Sequence, residues 1–211
     1  MRHIRRHRRK KPPVMLLSLL VGLAAAVLWG NWALNAQRKL ADQVVRLHIL
    51  ANSDSEADQT LKLQVRDTVL ARAEELLETA EGRGEAEAML RKSLPELTML
   101  AQRTIEENGY RYPVRAELAN TVFPTREYED FRLPAGSYLA LRVVIGEGAG
   151  KNWWCVVFPP LCAQSTTDLA QTAMAAGLAE EDIRLIEETD GGYLLKFKSI
   201  EFWEWIRQKL F

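Results

Sequence analysis

No acidic residue precedes Asp42, and no charge of either sign lies between Val14 and Leu34. Histidine is scarce: of three, His3 and His7 sit among arginines at the start and only His48 lies beyond. Cysteine occurs twice, at positions 155 and 162. These shortages exclude several classes. Two cysteines cannot staple a disulfide-dense scaffold. One histidine away from the tail, with no His/Cys cluster around it, gives no zinc set. A phosphate-binding Walker loop, a dinucleotide fingerprint, a zinc-protease motif and a Gly-x-Ser-x-Gly elbow are also missing. Nothing in the residues calls for a metal or other cofactor.

What is present begins with charge. Arg2, Arg5, Arg6, Arg8, Arg9, Lys10 and Lys11 precede a Pro12-Pro13 pair and the uncharged run Val14–Leu34. That run is long enough to cross a bilayer as a helix. Its basic flank belongs on the cytoplasmic side, so the rest of the chain is expected outside. An uncleaved anchor and a cleaved signal peptide both remain open. Ala24–Ala26 lies early for a cleavage site, and Leu34 fits poorly at the third position before a cut after Ala36. Lysines rather than apolar residues follow Arg8-Arg9, which weakens a twin-arginine address. Three regions are expected: a cytoplasmic tail at 1–13, an anchor or signal helix at 14–34, and an exported domain at 41–211, joined by a short linker from Asn35 to Leu40.

The net charge of zero conceals an imbalance. Seven of the 28 bases lie before residue 12 and all 28 acids lie after residue 41, leaving 21 bases against 28 acids, about −7. Nucleic acid and anionic lipid surfaces are therefore excluded as main partners of that part. Its length suits one domain with a sizeable core.

The exported part reads as α+β, with a largely antiparallel sheet and packed helices. Gln43–Ala51 is β-branched and strand-like. Asn52-Ser53-Asp54-Ser55 is a helix start, with Ser55 and Asp58 spaced as a capping box. Leu61, Val65, Val69, Ala73 and Leu77 recur at helical spacing, predicting a helix over 56–77 broken by Gly82 and Gly84. A second helix follows, with Pro95 expected to kink or restart it and Asn108-Gly109 to end it. Val114–Leu118 is a strand, and Tyr128–Gly136 reads as polar turn. Leu139, Leu141, Val143 and Ile145 alternate with Tyr138, Ala140, Arg142 and Val144. Gly146–Gly150 is expected to close a hairpin into the next strand. Thr167–Ala176 is expected as a helix. Ile183–Glu187 and Tyr193–Lys198 are expected as a last hairpin around Asp190-Gly191-Gly192. Ile200–Leu210 is an aromatic closing helix that either docks on its own sheet or binds a membrane or partner.

Asn152–Cys162 (Asn-Trp-Trp-Cys-Val-Val-Phe-Pro-Pro-Leu-Cys) holds both cysteines and two of six tryptophans. Trp153, Cys155 and Val157 face one way and Trp154, Val156 and Phe158 the other. Pro159 and Pro160 should stop the strand. A Cys155–Cys162 disulfide is within reach across the bend, and two reduced buried thiols are the alternative. A Cys155–His48 nucleophile pair is disfavoured, because an apolar strand raises a thiol pKa. Asn52, Asp54, Glu56 and Asp58 lack the glycine of a calcium loop, and helix capping accounts for them. His48 reads as a strand histidine satisfied within the fold.

Arg46–Ser55, Asp58-Gln59 and Leu61–Asp67 resemble the opening blocks of the stage II sporulation protein R family. Val122–Thr125, Pro134–Tyr138 and Asn152–Cys162 resemble its later blocks, in the same order. The resemblance spans roughly 43 to 162. It implies a sporulation signal of endospore-forming Firmicutes, made in the forespore and exported between the two septal membranes. There it would activate a membrane-embedded aspartic protease of the mother-cell membrane that processes pro-sigma-E. The chain would be an activator and not an enzyme. A thiol- or carboxylate-dependent wall hydrolase and a structural envelope adaptor are the competing classes. The expected partner contacts are Asn52, Ser53 and Asp54 in the loop, with Trp153, Trp154, Pro159 and Pro160 at the strand. Since the tryptophans point oppositely, one is expected in the core and the other at the contact.

Overall fold

A computed structural model describes residues 14–128, 131–162 and 169–187. Helix α1 (Val14–Ala41) is apolar and largely uncovered over its first turns, with an 18-residue window of mean hydropathy 2.0 that is 6% buried. Such a helix fits a transmembrane anchor or signal helix. Trp29 and Trp32 lie in contact toward its C-terminal half, and indoles favour a membrane–water interface. The expected linker is absent: residues 35–41 continue the helix. Gln37, Leu40 and Ala41 form a buried stripe, because their helical spacing brings them to one side. The fit is tight at Gly136, where any Cβ would overlap the Gln37 amide.

Strand β1 (Val45–Leu50) leads into α2 (Glu56–Leu77). Ser55 caps α2 with extended backbone, its hydroxyl accepting from the Asp58 amide at 3.2 Å. Helix α3 (Arg83–Glu107) begins after Gly82 and absorbs both Gly84 and Pro95. Pro95 is exposed, and the Arg91 carbonyl it leaves without a donor lies on an exposed turn open to water. Burial of Leu90, Leu97 and Ala101 on either side holds the helix continuous. Then come β2 (Val114–Phe123), a ribbon of β3 (Arg126–Glu127) and β4 (Arg132–Leu133), β5 (Gly136–Ile145) and β6 (Asn152–Phe158). Short helices α4 (Leu169–Ala175) and α5 (Glu180–Glu187) complete the described fold.

The main sheet has the order β2-β5-β1-β6, with β1 parallel to β5 and the other two pairings antiparallel. β5 and β6 therefore do not form the expected hairpin. β1 lies between them, buried along nearly its whole length as a strand in the middle of a sheet with both sides covered must be. On one face, Leu47, Ile49, Leu141, Val143, Cys155 and Val157 meet the apolar stripes of α2 and α3. The other face carries Tyr138, Ala140, Val156 and Phe123, covered by the end of α1, the β3–β4 ribbon, α4 and α5.

Two further expectations change. The stretch read as polar turn contains Phe131 and Leu133, both buried. Ile183–Glu187 is helical, not a strand. Three acids in the first turn of α5 favour a helix start, and Ile183 and Ile186 bury together at helical spacing. The proposed strand Tyr193–Lys198, the turn at Asp190, the Ile200–Leu210 helix and the basic tail lie outside the described residues.

Candidate functional site

Asn52, Ser53 and Asp54 come together as expected of a helix start, and their polar groups bond back to the chain. Asp58 accepts from Asn52 Nδ2 at 2.9 Å and Ser53 Oγ at 2.6 Å. Burial pushes the Asp58 carboxyl upward, yet hydrogen bonds from Ser53, Asn52, Tyr112 and Ser55 outweigh it and hold it below its ordinary value. Asn52 Oδ1 accepts from the Glu147 amide at 3.1 Å, and Asp54 Oδ1 from the Lys151 amide at 2.7 Å. Lys62 reaches the Lys151 carbonyl at 3.1 Å. A Cβ at Gly150 would strike the Ser53 carbonyl, so only glycine lets the β5–β6 loop approach this closely. The loop thus ties the start of α2 to the crossing between β5 and β6.

The tryptophans do face opposite ways. Trp153 lies half-buried beside the α2–α3 core, with the Arg66 guanidinium 5.0 Å from its ring centroid. Trp154 stacks on His48 with centroids 3.8 Å apart and meets Phe123 edge-on at 4.7 Å. Arg126 approaches the same indole at 5.6 Å.

His48 is only partly satisfied. Its Nε2 pairs with Asn152 Oδ1 at 2.9 Å, while Nδ1 is buried without a partner among the described residues. Burial lowers its pKa to about 4, despite the Asn152 hydrogen bond, and the Arg142 and Arg46 charges add to the lowering. The ring is neutral near pH 7. It lies on the opposite face of β1 from Leu47, the residue paired with Cys155. A histidine-activated thiol is therefore not assembled.

The sequence pattern does not mark Arg46 as a site residue. It is fully buried, its guanidinium 4.0 Å from the Phe123 centroid and 5.1 Å from that of Tyr138. Nη2 donates to the Tyr128 hydroxyl at 2.5 Å, and Nη1 has no partner among the described residues. Burial lowers its pKa. The only signal was an arginine inside a run otherwise fit for a core strand.

β6 ends at Phe158, followed by a cis peptide to Pro159. The chain turns there, with the Leu161 amide donating to the Pro159 carbonyl at 2.7 Å. Cys155 and Cys162 are joined through their sulfurs, their Cα atoms 6.2 Å apart. Beyond the turn, Pro160 opens onto a cleft of about 550 Å³ between the end of α2, the end of β6 and α4. Pro159 does not line it, and neither do the tryptophans or the Asn52 loop. Among the described residues no group of three His, Cys, Asp or Glu side chains could hold a metal.

Comparison with known proteins places this geometry. The model of the stage II sporulation protein R family matches residues 41–168. The chain belongs to that family of sporulation proteins. It is similar to stage II sporulation protein R of Bacillus subtilis (strain 168), 38% identical over 149 residues. That match covers 71% of this chain and 66% of the relative, just short of two thirds of the relative's length. No solved structure matches the chain.

Proposed function

We propose that the chain is an exported sporulation signal. Its domain acts by binding to a membrane-embedded aspartic protease of the mother-cell membrane, which then processes pro-sigma-E. The observation that carries this reading is membership of the family over 41–168, which includes both the Asn52 loop and the β6 turn. The apolar α1 supports export, whether it stays as an anchor or is removed. The rival hydrolase needs a nucleophile or a carboxylate pair. Cys155 is buried and bonded to Cys162, which removes its thiolate as a candidate.

Activation by binding requires a preference for the active state of the protease over the idle one. The test uses the full chain in lipid nanodiscs with the protease and pro-sigma-E. Processed sigma factor should accumulate only when the chain is present. Equal processing without it, or none with it, rejects the reading.

A further inference from the structure

The cleft at the end of β6 combines an apolar floor with an acidic mouth. Leu77, Val157, Phe158 and Pro160 line its base, and Ala175 at the end of α4 with the following Ala176 forms the opposite wall. Its volume of about 550 Å³ falls within that of small recognition pockets. Glu74, Glu75 and Glu78 stand along the mouth.

These carboxylates are placed against the interest of their own helix. They occupy the end of α2, where the helix dipole is negative, and the last turn holds no basic residue. Glu74 and Glu78 are also four apart on one helix face, a repulsive pair. Arg72 takes up Glu75 at 2.6 Å. Glu74 Oε1 is buried without a hydrogen-bond donor among the described residues. Glu78 has no ion pair there. A buried acceptor without a donor costs stability until one arrives. Three separate costs at one spot are relieved by the same thing, a cation that the described residues do not supply.

We propose that this cleft is a docking site for a cationic segment of the partner. The partner's lysine or arginine donates to Glu74 and Glu78, and a neighbouring apolar side chain enters over Phe158 and Pro160. The proposal rests on the protease reading for the partner's name only; the ligand chemistry comes from the cleft. Pro160, just beyond the end of β6, is then the part of this turn that touches the partner.

The test has two arms, both on the full chain in neutral-lipid nanodiscs. In the first, the labelled peptide Leu-Arg-Leu-Lys-Leu-Arg is compared with a version carrying glutamine at each basic position. The basic peptide should bind roughly tenfold tighter. The double variant Glu74→Gln with Glu78→Gln should erase that difference. Ala175→Trp, at an exposed site, should block binding of both peptides, with unchanged circular dichroism. Equal binding of the two peptides, no binding, or indifference to Ala175→Trp overturns the proposal.

In the second arm the same variants are scored for pro-sigma-E processing, with at least a roughly tenfold loss expected. Variants that process like wild type overturn the cleft and leave the protease reading standing. A wild-type chain that triggers no processing, with the peptide results as expected, removes the protease reading and leaves the cleft.

Discussion

The sheet carries two unlike faces. Against α2 and α3 it presents an aliphatic surface in which Leu47, Ile49, Leu141 and Val143 repeat along neighbouring strands. On the other side, β1 presents Arg46 and His48 instead, set among Phe123, Tyr138 and Trp154. Long helices cover the first face; short elements and the end of α1 cover the second. Stability and specificity therefore reside on different faces. Aliphatic burial is generic and strong. A buried cation and a neutral histidine tolerate only particular neighbours, here π faces and an amide.

The largest expected contrast pits adjacent residues of β1 against each other. Leu47→Ala leaves a cavity under α2 and α3 and should cost about 3–5 kcal/mol in urea unfolding. Arg46→Met keeps the volume and removes a buried charge that has no carboxylate among the partners described. It should lie within about 1 kcal/mol of wild type, or above it. If Arg46→Met unfolds the chain and Leu47→Ala does not, the division between the faces is wrong.

Next comes pH. Unfolded, His48 takes a proton near pH 6.5; folded, only near pH 4. Its contribution is therefore complete above pH 6.5 and is lost as pH falls toward 4. Since it is 5% exposed, the loss should be on the order of 3 kcal/mol. His48→Gln should flatten the stability profile in that window. A slope that survives this substitution assigns it to other groups.

The disulfide follows. Cys155 belongs to the aliphatic face, and Cys162 touches both cores. Closing so short a loop should contribute about 2.5 kcal/mol by chain entropy. Reductant should lower the unfolding midpoint of the native chain and leave a Cys155→Ala, Cys162→Ala variant unmoved. Two freely alkylated thiols in protein taken from the exported compartment reject the bridge.

The aliphatic face was largely legible in the sequence, and the other was not. Leu61 to Leu77 repeats with helical period, and α2 occupies the predicted residues. Ser55 stood where a cap belongs. Strand order escaped, because a glycine-rich loop between two strands looks the same whether it closes a hairpin or crosses the end of a third strand. Ile183–Glu187 looks like one strand of a last hairpin before Asp190-Gly191-Gly192, whereas its acidic first turn decides for helix. Of the candidate contacts, Asn52, Ser53 and Asp54 were recognisable as a helix start. That Asn52 and Asp54 bond to the loop after β5 depends on residues some ninety-five positions away. Arg46 was invisible for a related reason: its aromatic box is assembled from β2, β5 and the β3–β4 ribbon. The cleft likewise joins α2, β6 and α4, and no local pattern announces it.

A smaller cost than those of Leu47→Ala, His48 protonation and disulfide loss is expected at Trp153. Its indole is half-exposed, packs at the margin of the aliphatic core and carries Arg66 above it at 5.0 Å. Trp153→Ala should cost about 1–2 kcal/mol, from part of the aromatic burial and a solvent-exposed cation–π contact. The chain then remains folded, and processing of pro-sigma-E can be scored without correction for unfolding. With the contact at the Pro160 end, processing should stay within roughly threefold of wild type, a change smaller than that of a hot-spot residue. Trp154→Ala should weaken the fold more, since it strips the stacking partner from His48 and opens the box around Phe123. Arg66→Ala serves as the control, removing the cation–π partner while leaving the indole. If Trp153→Ala abolishes processing in a folded chain and Arg66→Ala does not, the indole itself is the contact. The docking surface then belongs at the start of β6, on the aliphatic side, and the cleft at its end becomes a neighbour of the interface instead of its centre.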